Sequence, residues 1–243
     1  MSNVVGIIQS RMDSRRFPKK MSAKLKDATI IEWILKRVLK SKKLDKIVLA
    51  TTRKKSDNFL VSAAKDHRVS VFRGESEDVL DRYYKAAKFY KANIIVRICG
   101  DNPFIDPNMI DKLIQNFASK KYDYGFNHQS RLNFKCVDGF GAEIFNFKTL
   151  DKINSDEKSI KIREHVTLSI WKNKLKYKIQ PVYSGTGLNY PKIKFDVNTK
   201  RDLANLNRFL ESSDINIRSD YKIILKSYLK FKKNEFKNTN KKY

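Results

Sequence analysis

The stretch VVGIIQSRMDSRRFPKK, residues 4–20, decides the fold that this sequence predicts. Its apolar run stops at Gln9, and no apolar periodicity continues through residues 9–20. This pattern is typical of a buried first strand that feeds a loop at the edge of a parallel sheet. In open α/β sheets the ligand lies outside the carboxyl ends of the strands. The loop suits an anion, most simply a polyphosphate, because it is rich in basic residues: Arg11, Arg15, Arg16, Lys19 and Lys20. The alternative is a solvated basic loop in a chain that is basic throughout.

Composition limits the class of protein. A chain of 243 residues allows one large α/β domain or two small ones, and 41% hydrophobic residues are enough for a core. No apolar run approaches the roughly 20 residues that span a bilayer. The apolar start is short and ends at Arg11, so we expect no signal peptide, no membrane partner and a cytoplasmic protein. Two cysteines, Cys99 and Cys136, and three histidines argue against a disulfide framework, a zinc site and a histidine-rich metal site.

The net charge of +26 raises the hypothesis of a basic nucleic-acid-binding protein. The basic residues are spread over nearly every predicted helix, however, and they concentrate only at 226–242. A dedicated nucleic-acid module more often gathers its basic residues on one element, between aromatic residues. We therefore favour a lysine-rich, solvated surface and predict no nucleic-acid partner.

The first 120 residues show a regular alternation of strands and helices. Short apolar runs predict strands at 4–8, 46–51, 69–72 and 94–98. Between and after them, apolar residues at helical spacing follow plausible N-terminal caps: Thr29, Ser56 or Asp57, Ser76, and Asp106 with Pro107. A β-α-β-α-β-α-β-α order predicts a parallel sheet with helices on both faces.

The remainder of the chain is less regular. We predict strands at 122–127, 141–147, 177–183 and 192–197, with a helical turn at 149–153. An amphipathic helix is expected at 163–171, a helix capped by Thr199 follows, and the last helix covers 221–231 before a polar, frayed end. Since there is no linker and no repeat, we expect one domain, 1–232, and a polar basic tail, 233–243.

Two carboxylates follow predicted buried strands. Gly100 and Asp101 follow the fourth strand, where glycine allows the backbone to pass close to a ligand and aspartate offers hard oxygens to Mg²⁺. Asp101 could equally cap a turn before Pro103. Asp196 ends the predicted strand at 192–197, and a carboxylate there needs a partner, either a metal or a lysine. If the two strands are adjacent, both carboxylates can share one Mg²⁺, but the sequence does not give that adjacency.

Other polar residues carry weaker signals. His165 begins the predicted helix at 163–171 beside Arg163 and Glu164, a polar cluster that suits a sugar or a plain surface. Glu143 lies within an apolar strand, where alternation alone can turn it to solvent. The chain lacks the P-loop motif, the dinucleotide-binding G-x-G-x-x-G after its first strand, and the G-x-S-x-G elbow, which argues against those three classes of enzyme.

Several segments together resemble a known family. Residues 7–20 are similar to the motif I-I-Q-A-R-M-G-S-T-R-L-P-G-K, and 96–107, VRICGDNPFIDP, to R-x-x-G-D-x-P-x-I-D-P. Further similar segments are FRG at 72–74, EDVLDRY at 77–83, REHVT at 163–167 and FDV at 195–197. In this order and spacing they resemble the sugar cytidylyltransferases, the group of CMP-acylneuraminate and CMP-Kdo synthetases, and most closely the SpsF-like branch of spore coat polysaccharide synthesis.

The resemblance implies a fold and a reaction. The fold would be a Rossmann-like three-layer α/β/α nucleotidyltransferase of the nucleotide-diphospho-sugar transferase type, with a mixed, mostly parallel sheet. The reaction would transfer CMP from CTP to an acid sugar, nonulosonate or Kdo-like, with release of pyrophosphate, for surface polysaccharide synthesis. The resemblance also implies a homodimer.

The resemblance further implies roles for individual residues. Arg11, Lys20 and Asp101 would be catalytic, and Asp101 with Asp196 would hold Mg²⁺. The nucleotide would be bound by Gln9, Ser10, Arg11, Ser14, Lys20 and Arg97. The sugar would contact Glu143, Arg163 and His165.

Two residues depart from the family pattern in the phosphate loop. Asp13 and Lys19 stand where the family motif has glycines, which allow positive φ and close approach to phosphate. Asp13 adds a negative charge there, which Arg15, Arg16 or the metal could neutralise. The alternative function is therefore a catalytically impaired, sugar-nucleotide-binding homologue of the same fold.

Overall fold

A mixed seven-stranded sheet forms the centre of the molecule. The computed structural model describes residues 3–183 and 187–240. The strands are β1 Val4–Gln9, β2 Lys24–Leu25, β3 Ala28–Thr29, β4 Lys46–Thr52, β5 Ser70–Gly74, β6 Ile94–Cys99, β7 Tyr124–Phe126, β8 Glu143–Asn146 and β9 Ile179–Pro181. The helices are α1 Ile30–Val38, α2 Asn58–Asp66, α3 Val79–Phe89, α4 Pro107–Asn116, α5 Phe147–Asp156, α6 Ile160–Arg163, α7 Leu168–Lys172, α8 Lys200–Glu211 and α9 Tyr221–Asn240.

The strand order of the main sheet is β5-β4-β1-β6-β8-β7-β9. β5, β4, β1 and β6 are parallel, whereas β8 runs antiparallel to both β6 and β7. The chain moves outward from β1 through β4 to β5 and then returns to β6, on the other side of β1. Adjacent strands whose connections leave in opposite directions open a crevice at their carboxyl ends, and here those strands are β1 and β6.

Helices cover both faces of the sheet, which gives the expected three layers. One apolar cluster packs α1, α2, α4, α8 and α9 against one face, and the other packs α3, α5 and α7 against the opposite face. β1 serves both clusters because its side chains alternate: Val4 and Ile8 join the first, and Val5 and Ile7 the second. No helix in the described ranges is long and apolar enough to cross a membrane.

The predicted caps explain where several helices begin. Thr29 and Glu32 form a capping box at α1, and Thr199 and Asp202 form another at α8. Asp106 accepts from the backbone N–H groups of residues 108 and 109, and Pro107 occupies the first turn of α4. α3 begins later than its sequence indicates, because Asp78 rather than Ser76 is its cap.

Three secondary-structure predictions are wrong. Residues 192–197 are not a strand: Lys194 makes one isolated bridge to Asp138, and the backbone otherwise bonds to loop residues. The helix predicted at 163–171 is broken into α6 and α7 by a turn at 164–167. The end predicted to fray continues α9 to Asn240, while residues 241–243 lie outside the described part of the chain.

A buried ion pair ties three helices together on one face of the sheet. The Arg37 side chain of α1 is 1% exposed and Asp106 is fully buried, with 3.4 Å between Nη2 and Oδ2. Arg37 also donates to the carbonyls of Ile105, Ile217 and Ser219. Asp106 caps α4 and accepts from the N–H of Tyr221, the first residue of α9. Each nitrogen of the Arg37 guanidinium group therefore has an acceptor, as a buried charge requires.

Removing the carboxylate should expose the cost of burying Arg37. We expect Asp106→Ala to lower the free energy of unfolding by roughly 3–5 kcal/mol, because it leaves a buried cation without its counter-charge. Urea unfolding followed by circular dichroism measures the change. Asp214→Ala, which removes an exposed carboxylate, is the control and should change stability by less than about 0.5 kcal/mol. Equal effects of the two substitutions would contradict the role given to the pair.

Candidate functional site

A cleft of about 400 Å³ opens at the carboxyl ends of β1 and β6. This is the crevice that the strand order predicts. The cleft is lined by the residues predicted to bind nucleotide, namely Gln9, Ser10, Arg11, Ser14, Lys20 and Arg97. Asp101, Glu164 and His165 line it as well, together with Arg15 and Arg16. The structure thus brings the basic loop of the first strand to the carboxylate that follows the fourth predicted strand.

Gly100 allows the two strand ends to meet at the base of the cleft. A Cβ atom at this position would lie 2.3 Å from the backbone oxygen of Gln9, so no other residue fits without moving β1 or β6. The sequence predicted that Gly100 lets the backbone approach a ligand. In the structure its close neighbour is the end of β1.

The basic loop, residues 9–20, is anchored by a carboxylate that the sequence analysis considered only as a helix cap. Asp57 is 1% exposed. Its Oδ1 accepts from the N–H of Met12 at 2.8 Å, and its Oδ2 accepts from the hydroxyls of Thr51 and Thr52 and from the N–H of Thr52. Asp57 thereby joins the loop after β1 to the end of β4.

These hydrogen bonds keep Asp57 ionised. Burial raises its pKa, but the bonds from Thr52, Met12 and Thr51 outweigh burial and hold the pKa below its ordinary value. All four hydrogen bonds of Asp57 are accepted by its carboxylate oxygens, and each of them favours the ionised carboxylate. Asp57 is therefore a rigid anchor. The signal in the sequence was the pair of hydroxyl residues at the end of a buried strand, five and six residues before the aspartate.

The structure explains the two departures from glycine. Lys19 has φ 57° and ψ 24°, the left-handed conformation that glycine adopts most readily. Asp13 does not have a positive φ. Its Oδ2 lies 2.9 Å from Nζ of Lys54, and Asp13 is not among the residues that line the cleft. Lys19 therefore takes the glycine-like conformation despite its side chain, and Lys54 partners the extra negative charge.

Lys20 and the two candidate metal ligands lie around one segment, residues 195–198. Nζ of Lys20 donates to the carbonyl of Val197 at 2.7 Å, and the N–H of Val197 donates to the carbonyl of Asp101 at 2.8 Å. Burial lowers the pKa of Lys20, whereas the carboxylates of Asp101 and Asp196 oppose that shift. The segment that follows the core residue Phe195 therefore lies beside the end of β6, although it is not a strand.

Asp101 and Asp196 together suit a hard divalent cation. Burial and then repulsion from Asp101 raise the pKa of Asp196, which indicates that the two carboxylates are close. Within residues 3–183 and 187–240, no group of three or more His, Cys, Asp or Glu side chains could hold a metal ion. Two carboxylates fit Mg²⁺ when phosphate oxygens and waters complete its shell, as is usual for Mg²⁺ on nucleotides.

Arg11 spans the cleft. Its Nη1 donates to the carbonyl of Ser76 at 3.3 Å, and its Nη2 lies 3.3 Å from Oε1 of Glu164. The pair is only partly buried, with 29% of the Arg11 side chain and 50% of the Glu164 side chain exposed, so it holds the guanidinium weakly. An anion in the cleft can therefore compete with Glu164 for Arg11.

The three residues predicted to contact sugar lie at different depths. His165 is exposed and lines the cleft. Glu143 is 1% exposed and lies behind Arg97, with 2.8 Å between Oε2 and Nη1. Arg163 is not among the lining residues: its guanidinium donates to Asp78 and to the Asn154 side chain, and to two backbone carbonyls. Only His165 of the three thus faces the cleft directly.

A buried histidine also escaped the sequence analysis. His128 is 2% exposed and lies between two carboxylates, with Nδ1 2.9 Å from Oδ1 of Asp138 and Nε2 3.7 Å from Oε1 of Glu143. Because the histidine and its partners come from separate segments, no local motif signals the cluster.

The chain is similar to known proteins over most of its length. A family model described as cytidylyltransferase matches residues 5–242. An uncharacterised protein of Methanocaldococcus jannaschii is 40% identical over 199 residues, 82% of this chain and 79% of that protein. The spore coat polysaccharide biosynthesis protein SpsF of Bacillus subtilis is 31% identical over 207 residues, 83% of this chain and 84% of that protein.

Two further similarities concern a named sugar and a solved structure. The 3-deoxy-manno-octulosonate cytidylyltransferase of Bdellovibrio bacteriovorus is 33% identical over 117 residues, 47% of this chain and 46% of that protein. The structure of a cytidylyltransferase from Leptospira borgpetersenii superimposes with a TM-score of 0.86 at 28% identity, and covers 97% of this chain and 96% of that one.

The anchor of the basic loop can be tested by an isosteric change. We expect Asp57→Asn to lower the free energy of unfolding by about 2 kcal/mol, because the amide nitrogen turns one accepted bond into a donor–donor contact. Asp66→Asn is the matched control, because Asp66 is an exposed carboxylate at the end of α2, the helix that begins directly after Asp57. Urea unfolding at pH 7 measures both changes.

The same comparison has a predicted pH dependence. Since folding lowers the pKa of Asp57 from 3.8, its contribution is full above pH 3.8 and is lost as the pH falls through the folded value. The difference between the wild type and Asp57→Asn should therefore shrink in acid. A difference that is constant down to pH 2 would contradict the anchor.

Lys19 offers a test in the stabilising direction. We expect Lys19→Gly to raise the free energy of unfolding by about 0.5–1 kcal/mol, because a non-glycine residue with positive φ is strained. Lys43→Gly, at an exposed loop position without positive φ, should lower it by a similar amount, since glycine adds entropy to the unfolded chain. Thermal unfolding distinguishes the two signs, and destabilisation by both substitutions would refute the strain.

Proposed function

The chain belongs to the cytidylyltransferase family, and on that premise we propose that it transfers CMP from CTP to an acid sugar and releases pyrophosphate. In this reaction a hydroxyl oxygen of the sugar bonds to the α-phosphorus of CTP, and the bond from that phosphorus to the bridging β-phosphate oxygen breaks. The hydroxyl proton is released, and pyrophosphate carries away the electron pair of the broken bond.

One observation carries this proposal: a basic loop and an acidic strand end face each other across a single cleft. Arg11, Lys20 and two further arginines provide positive charge, and Asp101 lies on the other strand of the crevice. A triphosphate with its metal needs both signs of charge in one place. A site for a simple anion would need only the basic half.

The residues of the loop would act by positioning and neutralising phosphate. Lys20 is held beside the end of β6 by its bond to Val197, so its ammonium group meets the phosphates without a large loss of side-chain entropy. Arg11 would exchange Glu164 for a phosphate oxygen. Ser14 and the backbone after Gln9 add neutral donors. Such groups stabilise the charge that develops on the leaving pyrophosphate.

Asp101 and Asp196 would hold Mg²⁺ on the phosphates. When bound, the ion would polarise the α-phosphate and neutralise the leaving group. Burial and, after it, repulsion from Asp101 raise the pKa of Asp196. The repulsion supports this assignment because a cation relieves it. Asp101 lines the cleft, whereas Asp196 lines a second pocket together with Asn198 and Asp202.

Charge and similarity support an acid sugar as the acceptor. The Bdellovibrio bacteriovorus relative is named for 3-deoxy-manno-octulosonate, an acid sugar. In this chain Arg97, which the resemblance assigns to the nucleotide, and the exposed His165 both line the cleft. We assign Arg97 to the acceptor instead, because its guanidinium offers a positive charge to a carboxylate on the sugar. Glu143 holds Arg97 in place.

The alternative of a catalytically impaired homologue depended on Asp13 and Lys19. Lys54 pairs with Asp13, which does not line the cleft, and Lys19 takes the conformation that the family glycine would take. Neither departure removes a charge or a donor from the cleft, so the catalytic function is favoured.

Activity assays test the proposal directly. We expect the protein to release pyrophosphate from CTP when Mg²⁺ and an acid sugar are both present. Asp101→Asn should lower kcat by roughly a hundredfold or more, since it removes one charged ligand of the metal. Lys20→Ala should raise KM for CTP as well as lower kcat. A screen of nucleotides against sugars, read by pyrophosphate release, measures these effects.

The matched control is Asp214→Asn, which removes an exposed carboxylate elsewhere on the surface and should leave both constants unchanged. No binding of any nucleoside triphosphate to the wild type in calorimetry would refute the proposal. Equal activity of Asp101→Asn and the wild type would refute the role of Asp101.

A further inference from the structure

Four side chains form a charge chain that is buried at its centre and ends in the cleft: Asp138, His128, Glu143 and Arg97. The successive distances are 2.9 Å from Asp138 Oδ1 to His128 Nδ1, 3.7 Å from His128 Nε2 to Glu143 Oε1, and 2.8 Å from Glu143 Oε2 to Arg97 Nη1. The side chains of His128 and Glu143 are 3% and 1% exposed. Arg97 and Glu143 face each other directly on β6 and β8.

Two carboxylates beside the ring favour a positive charge on His128. Nδ1 lies within hydrogen-bond distance of Oδ1 of Asp138, whereas Nε2 is buried without a hydrogen-bond partner among the described residues and lies 3.7 Å from Oε1 of Glu143. The charge of Glu143 therefore favours a proton on Nε2 without a direct hydrogen bond. Burial lowers the pKa of His128, but the hydrogen bond to Asp138 and the two nearby carboxylates raise it to about 9. The charges then alternate in sign along the chain, and this pairing lets four ionisable groups share one interior.

Glu143 connects this charge to the walls of the cleft. Its Oε2 also accepts from the hydroxyl of Thr167 at 3.0 Å, which holds the turn at 164–167 that carries Glu164 and His165. The Nε atom of Arg97 is buried and has no hydrogen-bond partner among the described residues. Arg97 and the turn together form the wall of the cleft nearest to β8.

We propose that His128 is a positioning residue, which as a buried imidazolium holds Glu143 and, through it, Arg97 and the turn at 164–167 in the geometry that receives the acceptor substrate. The assignment of this wall to the acceptor rests on the proposed function. The charge of His128 and its effect on the position of the turn at 164–167 do not depend on the proposed function. Without the charge of His128, Glu143 retains Arg97, Thr167, Tyr124 and a long contact with Gln129, but it loses the charge that faces its Oε1.

The charge state can be measured on the wild-type protein by nitrogen NMR of ¹⁵N-histidine. The chain contains only His67, His128 and His165, so His67→Gln and His165→Gln assign the remaining signal without altering the buried site. We expect the two ring nitrogens of His128 to have the nearly equal shifts of an imidazolium up to about pH 9. Titration near the ordinary value of 6.5 would overturn the proposal.

The grip on the turn is tested by hydrogen exchange in His128→Gln, which keeps a hydrogen-bonding side chain without the charge. We expect amide exchange to accelerate at 164–167 and to stay unchanged in α2. His67→Gln is the matched control and should alter neither segment. Unchanged exchange at 164–167 in a folded His128→Gln protein would overturn the proposal, whether or not the protein has activity. If this variant does not fold, raising the pH of the wild type through 9 removes the same charge. The protection factor at 164–167, which is the exchange rate relative to that of an unstructured peptide at the same pH, must then fall more than the protection factor in α2.

Kinetics separate positioning from general stability. In His128→Gln we expect KM for the acid sugar to rise roughly tenfold, because Glu143 loses the charge that helps to hold Arg97 and the turn, with little change in KM for CTP. In the wild type the same KM should rise as the pH passes 9, whereas in the variant it should not. Parallel increases for both substrates would overturn the acceptor assignment. A wild type without turnover would refute the proposed function, while the NMR and exchange results would still decide the role of His128.

Discussion

The position of β1 between β4 and β6 is the constraint on which the rest of the structure depends. The connections of β1 and β6 leave in opposite directions, so helices cannot close the sheet edge above this pair of strands. The strand ends can approach closely only because Gly100 has no side chain against the carbonyl of Gln9. Most residues that line the cleft belong to these two strands or to the segments that follow them, and Glu164 and His165 are contributed by the turn at 164–167.

Three aspartates in and near the cleft differ in their surroundings. Asp57 receives four hydrogen bonds, is fully buried, and fixes the basic loop to the end of β4. Asp101 and Asp196 are half-buried and repel each other, which suits a cation that arrives with its phosphates. The difference follows from the partners: backbone and hydroxyl donors make Asp57 an anchor, whereas Asp101 and Asp196 face each other's charge and are the ligands that we propose for Mg²⁺.

The opposite wall depends on a different kind of electrostatics. Glu143 has a pKa well below its ordinary value, because Arg97 and His128 outweigh the effect of burial. A buried ionic chain of this kind does not itself add much stability, since the desolvation of four groups offsets their attraction. The chain instead links β6, β8 and the turn at 164–167 through Glu143, which bonds to Arg97 and Thr167. The cytidylyltransferase fold thus sets the cleft with its sheet, and this chain shapes the cleft with buried charges.

The sequence by itself determined most strands and helices of the first half and the basic loop on one side of the cleft. The apolar runs, the Thr29 and Thr199 capping boxes, and Asp106 before Pro107 are local signals, so the alternating first half followed from them. The loop 9–20 and Asp101 were also identified, because strand ends of a parallel sheet meet at one edge.

Tertiary structure alone decided the rest. Residues 192–197 look like a strand but bond to loops, and the helix predicted at 163–171 breaks where Thr167 reaches Glu143. Asp57 and His128 act through partners distant along the chain. Burial and long-range hydrogen bonds fix these features, and neither is encoded in the periodicity of a single segment.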